Sequence, residues 1–399
     1  MALTDFKPQF DNAYQEIFQK VLVAKKIANL RFEKTLKYGE SVERLAYDIS
    51  GVRVRSVVRG SASTIDSVTD SAELLTINLE KEASFHISDG EVTQAGPLNP
   101  GEVIGGQIAI KVATDFDARV LYEAKNASYT FDTGDLTTLA STGTPVTLNS
   151  TTVPQLASRA PAKLRRNNQT LMNLCFVVDS YAASDLTQYL LGKSIDLAGS
   201  VFANGYTGDV SNAELYVSEN LTGEAVLSMA TQPTDGDTVV VNGVTFTFKT
   251  TLGSTAGNVL IGASADAARA NLTALVNAPG TTTSEGVALS STNQATIEGL
   301  NITATNDNSA NTMTLVCVGS GALTLSETFT DGTDTWTKNF IHAYFGKKGA
   351  IDAVLQDMKE VDMRPTADRR GTNVFASYLG GVKTFADGAK KFLDVQIAR

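Results

Sequence analysis

The most regular hydrophobic pattern in the chain runs through Glu102–Ala127. Ile108, Val112, Phe116 and Val120 recur every fourth residue, flanked by Ala109, Ala113, Leu121 and Ala124. That is the continuous apolar stripe of an amphipathic helix. Lys111, Asp115 and Arg119 form an i,i+4 ladder of alternating sign on the other side, which predicts a solvated face. Pro97, Pro100 and Gly101 are expected to bar any element from entering from upstream. At ~1.5 Å per residue the helix is roughly 35–40 Å long, enough to cross a small domain.

A second helical pattern opens the chain at 5–36, where Phe10, Tyr14, Ile17, Phe18, Val21, Leu22, Ile27 and Leu30 share a face. Asp11 and Glu16 come early and Lys25 and Lys26 late, the charge order that suits a helix dipole. A terminal amphipathic helix needs a surface to lie on, either its own body or a neighbouring chain. Between these helices the period changes to two. VRVRSVVRG alternates apolar and basic residues from Val52, a small polar stretch follows, and ELLTINLEKEASFHI returns as a second extended run. The expected element is a long two-stranded hairpin, which is marginal in water by itself and gains order from another subunit. Arg53, Arg55 and Arg59 fall on one face of it, as a solvated edge or as contacts to a neighbour's carboxylates.

After the long helix the pattern gives short strands and turns over Tyr129–Thr152, then a basic connector at Arg159–Arg166. TLMNLCFVV (170–178) reads as a buried strand, followed by a helix capped by Ser180 or Ser184 and running to about Phe202, then the strand AELYVS (213–218). This is an α/β layer. Residues 232–334 form a compositional island. TVVV and VTFTF are joined by Asn242-Gly243, the strongest hairpin signal in the chain. Ser264 caps a helix with Leu272, Leu275 and Val276 inward, and LNITATN, TMTLVCVG and LTLSETF add strands. A segment of that length with its own core reads as an inserted domain, whose removal is expected to leave the rest folded. Downstream, NFIHAYFGKKGAIDAVLQDM is expected to end in a helix, with strands at KEVDMRPT, NVFASYLGGVKTF and KKFLDVQIA.

Charge sharpens this division. The net charge of −10 argues against a dedicated nucleic-acid binder. Only Lys249 and Arg269 oppose nine acidic residues between Gln232 and Asp334, so the island carries −7 of it, while the first sixty residues are net positive. No apolar run is long enough to span a membrane, and the N-terminus has no signal-peptide pattern. Cys175 and Cys317 lie in apolar runs and are expected to be buried thiols of a reducing compartment. His86 and His342 sit in no metal-ligand spacing, and no nucleophile elbow, phosphate loop or calcium loop occurs, so neither enzyme activity nor a cofactor nor a metal is expected.

The order of these pieces resembles tailed-phage major capsid proteins with the Hong Kong 97-type fold. The stretches that carry the resemblance are KEASFHISDGEVTQAG (81–96), NGYTGDVSNAELYVSENL (204–221), FGKKGAIDAVLQDMKEVDMRP and SYLGGVKTFADGAKK. The resemblance implies an α+β fold: an N-terminal arm (1–50), an extended loop (51–92), a peripheral domain with the spine helix (93–130 and 355–385), and an axial domain (131–231, 335–354 and 386–399). The 232–334 island is then a small β-rich α+β insertion, similar to a domain found in several phage structural proteins. It further implies subunits that form pentamers and hexamers of a closed shell in the virion, assembled in the host cytoplasm. Arg53, Arg55, Arg59, Phe10, Tyr14, Ile17 and Phe18 become the expected intersubunit contacts. Implied partners are portal and scaffolding proteins, decoration proteins and packaged DNA touched weakly on the inner face, with no membrane. An encapsulin-type compartment enclosing protein cargo, and a phage tail or adhesion protein, are the alternatives.

Overall fold

The computed structural model describes residues 23–31, 41–48, 52–56, 59–60, 62, 65–90, 100–191, 209–210, 213–365 and 370–399. The chain begins with α1 (Ala24–Ile27), β1 (Ser41–Asp48), β2 (Thr69–Thr76), β3 (Leu79–Ile87) and the long helix α2 (Pro100–Tyr122). Then come β4 (Tyr129–Phe131), α3 (Thr152–Arg166), β5 (Leu174–Val178), α4 (Ser180–Leu191), β6 (Asp209–Val210), β7 (Ala213–Val217) and β8 (Thr222–Ser228). The acidic island contributes β9 (Thr238–Val241), β10 (Val244–Lys249), β11 (Asn258–Leu260), α5 (Ala265–Asn277), α6 (Ser291–Gly299), β12 (Ile302–Asp307), β13 (Thr312–Cys317) and β14 (Leu325–Thr328). Five elements close the chain: β15 (Thr335–Lys347), β16 (Asp352–Pro365), β17 (Thr372–Lys383), α7 (Ala386–Ala389) and β18 (Phe392–Ala398).

These elements form two compact units, one mainly of Ile27–Val112 and Gly349–Lys391, the other mainly of 23–26, Ala113–Lys348 and Phe392–Arg399. In the first, β3 pairs antiparallel with β17, which pairs antiparallel with β16. The β1–β2 ribbon stands as a separate two-stranded ladder, with Ser41 opposite Thr76 and Asp48 opposite Thr69. The second unit holds a nine-stranded mixed sheet, ordered β12-β13-β8-β15-β5-β7-β6, with β18 beside β15 and β4 beside β18. A four-stranded sheet, β11-β10-β9-β14, lies in the same unit.

The long helix forms as its stripe dictates. Val112, Phe116, Val120, Leu121 and Ala124 are buried, and Lys111 is exposed. Pro100 is its first residue, the position where a missing N–H costs nothing, so the helix begins there. Asp115 and Arg119 pair at 3.8 Å but are only 22% exposed each, so that face is half-covered rather than solvated. Other local expectations fare unevenly. Asn242 and Gly243 have φ of 46° and 80°, as a two-residue hairpin turn requires, and Val241 pairs with Val244. Ser264 caps α5 through the Ala267 N–H.

Four expectations give way to the tertiary fold. The basic connector 159–166 is the end of helix α3, whose Val153, Leu156, Ala160 and Leu164 are buried at helical spacing. The cap of α4 is Asp179, which accepts the Ala182 N–H at 2.9 Å, rather than either serine. The helix expected near Gln356 is the long strand β16, held by an eleven-rung ladder to β17 that outweighs local propensity. The helix expected over 5–36 is present among the described residues only as the single turn Ala24–Ile27, because Asn29 leaves it to bridge Asp352.

The acidic island does not close a core by itself. Ala225, Leu227 and Met229, on or just after β8, are fully buried in the same cluster as Phe246, Phe248, Leu272 and Leu315. The β12–β13 pair extends the nine-stranded sheet by docking on β8, with Thr312 opposite Ser228 and Cys317 opposite Gly223. β8 and the first half of β15 therefore act as a stem rooted in the main sheet. The outer edge of β12 is covered from α5: the Asn277 side chain accepts the Ala304 N–H at 2.8 Å and donates to the Ala304 carbonyl at 2.9 Å.

Candidate functional site

The β1–β2 ribbon and the segment between its strands expose apolar side chains to water. Val54 is fully exposed and Ile65 is 91% exposed, and Val52, Val68 and Leu74 are about half exposed. The ladder differs from the one expected. It joins 41–48 to 69–76, and Val52–Ser56 lies outside any strand. The run ELLTINLEKEASFHI is cut at Ile77–Asn78: its first part pairs with β1 and its second with β17.

Arg53 and Arg55 are held across the loop by one carboxylate. Asp66 accepts the Arg53 N–H at 2.9 Å and pairs with the Arg55 guanidinium at 2.6 Å. The Arg55 hydrogen bond, then the Arg53 N–H, hold the Asp66 carboxyl below its ordinary value. Arg59 lies in the exposed turn beyond. Phe10, Tyr14, Ile17 and Phe18 lie outside the described residues.

The root of the ribbon is fastened in its own unit. Leu75 is buried with Val354 and Phe385, and Val42 and Ile77 pack beside them. Arg44 on β1 lies 2.7 Å from Asp387 and 3.9 Å from Asp352, with its guanidinium over the Phe385 ring. Glu73 on β2 accepts the Ala386 N–H at 3.1 Å. The Thr76 carbonyl crosses so close to Gly381 that a Cβ there would lie 2.3 Å from its oxygen. Substituting Gly381→Ala should therefore cost about 1–3 kcal/mol and loosen the root. Hydrogen exchange over 69–76, together with the melting temperature, checks this; unchanged protection there would mean that the ribbon is not seated on Gly381.

Buried polar groups in the second unit are structural in geometry. His342 on β15 reaches Asp394 on β18 at 2.9 Å through Nδ1 and Glu224 on β8 at 3.4 Å through Nε2. Lys163 on α3 pairs with Asp135 at 2.6 Å and fixes the 132–145 loop from beneath, donating also to the Thr130 carbonyl and Ser141. Asp117, 1% exposed on α2, accepts from the backbone of Val23 and Ala24 and from Asn220. Burial pushes its carboxyl up, against those hydrogen bonds. No local spacing in the sequence marks these three pairings, because the partners lie far apart along the chain. His86, on β3, bonds Asn373 at 2.8 Å. Both cysteines are buried, and burial pushes the Cys175 thiol up to about 12. Among the described residues no cluster of three His, Cys, Asp or Glu side chains could hold a metal ion, and no helix is long and apolar enough to cross a membrane.

No protein-family model and no curated protein sequence matches the chain. Solved structures do. A chain from Mycobacterium phage Che8 superposes with a TM-score of 0.53 at 14% identity, over 98% of this chain and 97% of that one. A chain from the capsid structure of the cyanophage P-SCSP1u gives 0.52 at 12% identity, over 99% and 93%. The likeness spans the ribbon, the long helix, both units and the acidic island together, and the fold is the tailed-phage capsid fold of the Hong Kong 97 type.

Proposed function

We propose that this chain is a major capsid protein, the repeated shell subunit of a tailed phage. The observation that carries the reading is the end-to-end likeness to a phage capsid chain, covering 99% of this chain. The ribbon supports it: a two-stranded arm fastened at its root, with apolar side chains exposed in the segment between its strands, is stable once a neighbouring copy covers it. Pentamers and hexamers of the chain would close an icosahedral shell around double-stranded DNA. Ribbon residues Arg53, Arg55 and Arg59, and Phe10, Tyr14, Ile17 and Phe18 of the N-terminal arm, would contact neighbouring copies. The unit holding the ribbon and β16–β17 would be the peripheral part, and the nine-stranded sheet the axial part with its insertion. Portal, scaffolding and decoration proteins are partners that such a shell would take. Many weak, repeated contacts suffice for a rigid shell, so no single interface residue need dominate.

Electron microscopy of the purified full-length chain tests this. Closed, uniform, angular or round particles are expected. Small discrete oligomers or fibres under every condition would overturn the reading in favour of a tail or adhesion protein. Shells that enclose a co-purified protein instead of nucleic acid would turn it to a compartment protein.

A further inference from the structure

The buried carboxylate of Asp117 is not used by any part of the shell reading. It lies in the C-terminal part of the spine helix and joins two segments that are almost two hundred residues apart in sequence. One of its oxygens accepts the backbone N–H groups of Val23 at 2.8 Å and Ala24 at 2.6 Å, where the N-terminal segment enters its single helical turn. The other accepts the Asn220 amide at 2.8 Å, in the Ser218–Leu221 turn that leads into β8. Ser218 is a further partner. The next residue of the helix, Ala118, is the seat of the loop after β13: Gly319, at φ +77°, lies so close that a Cβ there would be 2.5 Å from the Ala118 Cβ. The same loop returns to the turn through Gly321 N–H to the Leu221 carbonyl at 2.9 Å.

We propose that Asp117 couples the docking of the N-terminal segment to the order of the insertion's stem, so that loosening either one loosens the other. The physical reason is shared occupancy of one desolvated acceptor. A buried carboxylate needs its donors, and removing those on one oxygen leaves a charge whose remaining partners must reorganise around it. Coupling of this kind is reciprocal by linkage: whatever the arm does to the stem, the stem does equally to the arm. In a subunit whose arm and insertion meet different neighbours, this gives contact at one end a route to the other. The inference concerns the single chain and holds whether or not it builds a shell.

Hydrogen exchange on the full-length chain, read by mass spectrometry over 23–31 and 215–224, tests it. Substituting Ala24→Pro removes one donor to Asp117 at the first helical position, where proline is tolerated. Asn220→Ala removes the donor on the other side. Each is expected to speed exchange in the segment it does not touch, on the order of tenfold. Asp117→Ala should speed both. If Ala24→Pro changes only 23–31 and Asn220→Ala changes only 215–224, Asp117 is two independent anchors and the proposal fails. Should Asp117→Ala not fold, the two flanking variants decide the matter alone.

Discussion

Removing residues 232–334 and joining the ends should give a subunit that aggregates, whereas removing 222–339 should give one that stays soluble and melts cooperatively. The shorter deletion follows the compositional boundary but cuts through a shared core. It leaves Leu227 and Met229, both fully buried, without Phe246, Leu272 and Met313 to cover them. Each loses roughly 1.5–3 kcal/mol of burial. It also strips β13 from β8 over six rungs, exposing a flat strand edge that templates association with other copies. Finally it removes Asp334, whose carboxylate accepts the Ala230 N–H at 2.9 Å and the Thr231 N–H at 3.3 Å and so pins entry to exit. The longer deletion takes the stem with the island and closes Leu221 to Phe340 through about four Gly and Ser residues. It keeps the pairing of β15 with β5 and with β18 and gives up only the three rungs from Phe340–His342 to β8 among the β15 residues that remain. Size-exclusion chromatography and thermal melting of both variants make the comparison. A monodisperse 232–334 deletion with an unchanged melting temperature would show that β8 does not need the island to cover it.

Substituting Asp394→Ala should destabilise the chain by about 3–5 kcal/mol at neutral pH, the cost of removing the nearer partner of a buried ion pair. His342 is 3% exposed, sits between two carboxylates on neighbouring strands and packs against the Phe340 ring. Burial alone favours the neutral ring, but the Asp394 charge, then the hydrogen bonds and charge of Asp394 and Glu224, outweigh it and lift the imidazole from 6.5 to about 9. A raised histidine contributes stability that is complete below its unfolded value and is lost as pH rises through its folded value. Wild-type protein should therefore lose about 3 kcal/mol between pH 6.5 and pH 9 from this group. Burial raises Glu224, but the hydrogen bond and charge of His342 prevail and lower it from 4.5. Its contribution is present above pH 4.5 and fades as pH falls through the depressed value, so the triad stabilises most between about pH 4.5 and 6.5. His342→Leu should be less stable at pH 6.5 but lack the alkaline slope. An unaltered slope in that variant would assign the pH dependence to another group.

The elements legible in the sequence are those whose deciding interactions are local. The helix of Glu102–Ala127 rests on a spacing that repeats along one face, and the Asn242-Gly243 turn on two residues that accept positive φ. Ser264 and the buried run LCFVV are similarly self-sufficient signals. Alternation alone was not enough at VRVRSVVRG. A strand needs a partner edge, and β2 took Ser41–Asp48 instead, leaving Arg53 and Arg55 to be organised by Asp66. At Gln356 the preference for helix is weak, and the ladder to β17 settles it.

The candidate surface was half legible. Basic residues with apolar neighbours near Val52 mark a surface segment, and Val54 and Ile65 lie in water. The root that fastens it was not legible, because Arg44 meets Asp387, and Thr76 meets Gly381, across more than three hundred residues. From its sequence alone this protein determined the periodicity of its helices and turns, the acidic character of the island and the order of pieces that resembles a phage capsid subunit. Tertiary structure decided which strands pair, where the island's core ends and which buried charges meet. Strand pairing and ion pairing join residues distant in the chain, and their free energy depends on desolvated geometry that no spacing along a sequence records.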